Sequence, residues 1–183
     1  SELAPLPKLE LIQNYSRNHG ARLRATGWSQ TAAGFRTFAA KHPLITDKPD
    51  VIACLAQEIG TADKVFRFIF SSPTHLRLWM KAKIRAIDGT YKLTWSGFPT
   101  MVFGFVDAAQ RFHLCACAIT YSEQQEDFAW ALNELEEACI KVDPNYAAAR
   151  AQMQQATMQD GADAIRNAAR EVYGGTYLGV IEL

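Results

Sequence analysis

The sequence predicts an α/β fold: a mixed sheet in the order β-β-β-α-β-α-β, preceded by a helical N-terminal prefix. Three observations predict it. Runs rich in β-branched and aromatic residues crowd Ile84–Tyr91, Thr100–Val106 and Phe112–Tyr121, and their short, turn-like connectors at 96–99 and 107–111 favour an antiparallel meander. Two amphipathic helical patterns then alternate with two further strand-like runs, which requires strands reached through helices. The first sixty residues carry helix signals instead. The chain accordingly divides into a helical prefix or linker, 1–62, and a core, 63–183.

Residues 1–8 are proline-punctuated and read as an extended lead-in. A helix follows from about Leu9 to Asn18. Ser29 can cap another that runs to Lys41, where Pro43 stops it. Pro49–Ile59 reads as a third, with Ile52, Leu55 and Ile59 on one side and Gly60 as terminator. Val65–Ser71 turns to strand texture. Ser72-Pro73 opens a short helix carrying Leu76, Trp79 and Met80. After the meander, Ser122 and Gln125 suggest a capping box for a helix to about Val142, with Phe128, Ala131, Leu132, Leu135, Cys139 and Val142 on its apolar face. Tyr146–Gln152 suits a surface helical turn, Gln154–Met158 a short strand, Gly161–Val172 a helix and Thr176–Leu183 a last strand.

Composition narrows the class. The chain has 183 residues, 49% hydrophobic and 21% charged, the make-up of a globular domain with a sizeable core. Nineteen basic residues balance nineteen acidic ones, so bulk charge argues neither for nor against a nucleic-acid partner; only a local patch could. Arg17, Arg22 and Arg24 form the densest basic cluster, suited to phosphates or to a solvated helix end. Lys81, Lys83 and Arg85 alternate, and on a strand would share a face turned to a polyanion or to water. The four cysteines, Cys54, Cys115, Cys117 and Cys139, form no Cys-x-x-Cys pair and have no histidine at zinc spacing. They read as small core residues in a reducing, intracellular compartment. There is no signal peptide and no apolar run of about 18 residues, so no membrane association is expected.

One constellation carries chemistry. Ile84–Tyr91 delivers a single carboxylate, Asp88, to the end of a buried strand. Right-handed crossovers place that strand beside Gln154–Met158, which ends at Asp160. Two acids at adjacent strand ends meet the requirement of a two-metal site, in which Mg²⁺ ions about 4 Å apart on a rigid floor of hard oxygen ligands serve phosphodiester chemistry. Asp88 fits the bridging ligand and Asp160 a second one. Both acids also have structural readings, Asp88-Gly89 as a turn pair and Asp160 as a helix N-cap. Asp107 suits a turn, Glu123 a first helical turn, and His113 a structural position on its strand. Glu182 lies near the end of the last strand, where it either approaches the site or faces solvent.

Four blocks extend this reading: Ala-Ile-Asp-Gly-Thr-Tyr-Lys-Leu at 86–93, Gly-Phe-Pro-Thr-Met-Val-Phe-Gly-Phe-Val-Asp at 97–107, Ser-Glu-Gln-Gln-Glu-Asp-Phe-Ala-Trp-Ala-Leu at 122–132 and Gln-Asp-Gly-Ala-Asp-Ala-Ile-Arg-Asn-Ala at 159–168. In order and spacing they resemble the catalytic domain of Mutator-like (MULE) transposases, over roughly residues 65–177. The resemblance implies a ribonuclease-H-like fold, nuclear localisation, and Mg²⁺- or Mn²⁺-dependent cutting and joining of DNA by an Asp-Asp-Glu triad, with Asp88 and Asp160 matching the first two acids. The family's third acid, on a helix beyond a Cys/His segment, has no matched position here. The expectation is therefore a core lacking its C-terminal part, or else a domesticated, metal-free binding or scaffold subunit. A protein partner covering the last strand's edge is expected in either case.

Overall fold

The computed structural model describes residues 32–60, 66–90, 98–159 and 163–182. The lead-in, the helix at 9–18, the cluster Arg17, Arg22 and Arg24, the cap Ser29, the first half of the 96–99 turn and Asp160 all lie outside the described residues. The elements in order are α1 (Ala32–Lys41), β1 (Ala53–Ile59), β2 (Phe66–Ser71), α2 (Pro73–Lys81), β3 (Ile84–Thr90), β4 (Thr100–Val106), β5 (Phe112–Thr120), α3 (Gln125–Val142), α4 (Tyr146–Gln152), β6 (Gln155–Gln159), α5 (Asp163–Tyr173), a 3₁₀ turn (Gly174–Thr176) and β7 (Tyr177–Glu182).

The strands form one mixed sheet of seven in the order β1-β2-β5-β4-β3-β6-β7. The meander is as expected: β3 pairs β4 and β4 pairs β5, both antiparallel. The crossover through α3 then returns the chain to the far side of β3, where β6 lies parallel, with β7 parallel beyond it. The strand bearing Asp88 thus ends up in the sheet interior.

Two cores sit on the sheet. The larger joins α2, α3 and α5 to the residues that point their way from the strands: Trp79, Ile87, Met101, Phe103, Phe128, Leu132, Leu135 and Ile165 are all nearly or fully buried. Ser72 caps α2 as the Ser-Pro pair predicts, its hydroxyl accepting from the His75 N–H at 3.4 Å. A smaller aromatic core lies under α1. Phe66, Phe68 and Phe70 alternate along β2 onto this side, with Phe35 at 5.2 Å from Phe68 and Phe38 edge-on to Phe70 at 5.4 Å. Ile69, between them in sequence, joins the larger core.

One element departs from the sequence reading. Pro49–Ile59 is not a helix. Ala53–Ile59 is an edge strand, paired antiparallel with β2 from Ala53↔Ser71 to Ile59↔Phe66. Ile52, turned inward by the helical reading, is 47% exposed. The 3–4 spacing of Ile52, Leu55 and Ile59 is outweighed by the free edge of an aromatic strand, because strand preference is set mostly by the neighbours a side chain finds.

Cys54, Cys115 and Cys139 are buried core residues, as expected, Cys117 is only half-buried, and all four are free thiols. Burial pushes Cys54 and Cys117 up to about 11 and Cys115 up to about 12, and it raises Cys139 further. Because the thiolate is the nucleophile, the native chain should resist iodoacetamide at pH 8. All four should alkylate once the chain is unfolded in guanidinium, and intact-mass spectrometry of the two samples reads the difference directly.

Candidate metal centre at the strand ends

The site is built on β3. Arg85 and Ile87 are buried in the helical layer, so Asp88, one residue further on, faces the opposite side of the sheet and is exposed. Its backbone is fixed from one side by β4, with Asp88 opposite Val102 and Gly89 opposite Met101. On the other side the parallel ladder to β6 runs Ile84↔Ala156, Arg85↔Thr157, Ala86↔Met158. The last described pair lies two positions short of Asp88 on one strand and two short of Asp160 on the other.

Gly89 marks the close approach of a second acid. A Cβ placed there would stand 3.1 Å from Glu123 Oε1 and 3.4 Å from the Phe128 ring. Glu123 lies between β5 and α3 in a tightly tied segment. Thr120 Oγ1 donates to the Ser122 carbonyl at 2.6 Å, Ser122 Oγ donates to Asp127 at 2.5 Å, and the Gln124 N–H donates to Asp127 at 3.2 Å. The helix start predicted at Ser122 is therefore shifted: Gln124 is the N-cap and Asp127, not Gln125, is its partner. Asp127 also takes Arg67 Nε at 2.7 Å. Glu123 is treated differently. Its Oε1 is buried and, among the described residues, receives no hydrogen bond.

The remaining acids and cations sort clearly. Asp107 closes the β4–β5 turn, accepting from the Ala109 and Arg111 N–H groups at 2.9 Å each. The His113 ring beside it, and the donors of Arg111 and Ala109, hold its carboxyl well below the usual carboxylate range. His113 also stacks on Phe105 at 4.8 Å, a structural role as expected. Lys83 is exposed, but Arg85 is not part of a basic face. It is fully buried and pairs with Glu136 at 2.6 Å. Glu136 further accepts from Trp79 Nε1 at 3.0 Å, Tyr146 at 2.8 Å and Tyr173 at 3.2 Å, and lies 3.3 Å from Arg150 Nε. Burial alone would lower the Arg85 pKa, but the surrounding tyrosines and Glu136 hold it above its ordinary value.

The donors at this strand end are hard oxygens, and a buried carboxylate oxygen without a donor suits Mg²⁺ or Mn²⁺. Among the described residues no three His, Cys, Asp or Glu side chains form a complete metal-ligand group; Asp160 is not among those residues. Nor is any helix among them long and apolar enough to cross a membrane.

Residues 84–180 match the family described as MULE transposase domain. No curated protein matches the chain, and no solved structure does.

Proposed function

Because more than half of the chain, residues 84–180, belongs to the MULE transposase domain family, we propose that it is the metal-binding part of a ribonuclease-H-like catalytic core that cuts and joins DNA. Asp88 and Asp160 are the residues that hold the divalent cation. The β3–β6 ladder is the observation that supports this reading: its last described pair, Ala86–Met158, lies two residues before Asp88 on one strand and two before Asp160 on the other. Neighbouring parallel strands keep such a pair at fixed separation, which suits a site that must not relax as charge develops. When bound, Mg²⁺ or Mn²⁺ supplies an activated water or 3′-hydroxyl and steadies the leaving oxygen. The carboxylates' task is to fix that ion at the sheet's end, and the substrate is nuclear DNA.

The test is strand nicking of supercoiled plasmid with Mn²⁺. Asp88→Asn should lower the nicking rate about a hundredfold or more, since metal stabilisation of the transition state is worth several kcal/mol. Nicking unchanged in Asp88→Asn would remove the assignment. A second reading, a non-catalytic subunit that docks a protein partner, rests on the apolar edge strand β7, where Leu178 is 64% exposed and Ile181 40%. An absence of both nicking and Mn²⁺ uptake would favour it.

A further inference from the structure

β1 leaves one edge of the sheet open. It is the first strand in the order and pairs with β2 on one side. On its other side, among the described residues, a single parallel bridge joins Pro43 to Cys54, with the Cys54 N–H donating to the His42 carbonyl at 2.8 Å. The chain then turns away, the Lys48 N–H donating to the Ile45 carbonyl. That bridge shows an extended segment seated on this edge. Beyond Cys54 the same lane has no strand neighbour among the described residues, and an open strand edge is a template for a further strand. A groove of about 360 Å³ lies beside it. Pro43, Leu44, Leu55 and Ala56 give the groove an apolar lining, and Lys141 borders it from the last turn of α3. The adjoining loop adds apolar surface, since Ile45, Val51 and Ile52 are all exposed. The charges here are answered unequally. Glu58 is held by Arg67 at 2.8 Å. Lys141 is exposed and, among the described residues, forms no ion pair.

We propose that this edge binds an extended peptide of a partner protein, one that carries an apolar side chain and, two residues on, a carboxylate. Backbone pairing with β1 supplies affinity whatever the sequence, and the side chains supply the choice. Residues two apart on a strand share a face, so the apolar side chain takes the groove while the carboxylate meets the Lys141 ammonium. A basic peptide is turned away by the same ammonium. A second copy of β1 fits less well, because the one acid of that strand, Glu58, is already tied to Arg67. The surface lies at the opposite edge of the sheet from β7 and does not depend on a metal at Asp88.

The test is fluorescence anisotropy of the full chain with two labelled peptides, Thr-Val-Leu-Thr-Glu-Val-Thr and its counterpart with lysine in place of glutamate. The acidic peptide should bind the unaltered chain about fivefold more tightly than the basic one, since one ion pair is exchanged for a repulsion. Lys141→Glu, a change at an exposed position that leaves the core untouched, should reverse that order. Amide hydrogen exchange within β1 should slow when the acidic peptide is bound. No binding, equal binding of the two peptides, or an order that Lys141→Glu leaves unchanged overturns the proposal. It is overturned equally if the β1 amides of the free chain are all as protected as those of β4. The edge is then already covered, by another part of the chain or, where dilution restores exchange, by a second copy.

Discussion

Replacing Arg85 with methionine is expected to destabilise the chain by about 3 kcal/mol, read as a lowered urea midpoint at unchanged slope. Arg85 and Glu136 are both fully buried and 2.6 Å apart. Removing the guanidinium leaves the carboxylate in the core with hydroxyl and indole donors from Tyr146, Tyr173 and Trp79 but, among the described residues, only Arg150, at 3.3 Å and partly exposed, as a counter-charge. Breaking one side of such a pair costs about 3–5 kcal/mol, and Arg150 holds the loss to the lower end. The guanidinium also lies 4.3 Å over the Trp79 ring and 5.1 Å from the Tyr173 ring, contacts that methionine replaces only in part. The double variant Arg85→Met with Glu136→Leu should recover much of the loss, since neither charge is then stranded. A loss under about 1 kcal/mol in the single variant would mean that water reaches Glu136.

That pair shows where the sequence was legible and where it was not. The meander, the parallel return to the far side of β3 and the helical layer follow from short connectors, a period-2 pattern and a handedness rule, all local or chiral properties that one sequence carries. The Arg85 environment does not follow from them. Taken with Lys81 and Lys83, Arg85 forms an alternating cationic run, which reads as a wet face. Yet Arg85 alternates equally with Ile87, and Glu136 falls on the apolar stripe of α3 beside Leu132, Leu135 and Cys139. One charge of each sign on an inward-facing position in two separate elements is the signal of a buried pair, and it is visible only when the two elements are considered together. The β1 strand was hidden for a similar reason, because its pairing edge is supplied by β2. Glu123 was legible as a helix-start acid but not as an orphan. That property depends on Gly89, more than thirty positions earlier, lying against its carboxylate.

Gly104→Ala should be nearly as damaging, at about 3 kcal/mol, the upper end of what overpacking costs. A Cβ at position 104 would stand 2.3 Å from the His113 carbonyl oxygen and 2.6 Å from two atoms of the Phe112 ring. The ring is half exposed and can turn away; the carbonyl belongs to the neighbouring strand and cannot. The position lies at a register shift, where Phe103 pairs with Ala116 but Gly104 pairs with Leu114, so β5 carries one extra residue, Cys115, in a bulge. A glycine here lets the bulged strand fold close over β4. Adding Phe112→Ala to Gly104→Ala should therefore restore little stability, because the backbone contact remains. Full restoration in that double variant would assign the clash to the ring and not to the bulge. The consequence reaches the site through β3. Ala86 pairs with Gly104 on one side and with Met158 on the other. A shift of β4 at this point strains the same strand that aligns Asp88, so Mn²⁺ affinity should weaken in Gly104→Ala even at temperatures where the chain stays folded.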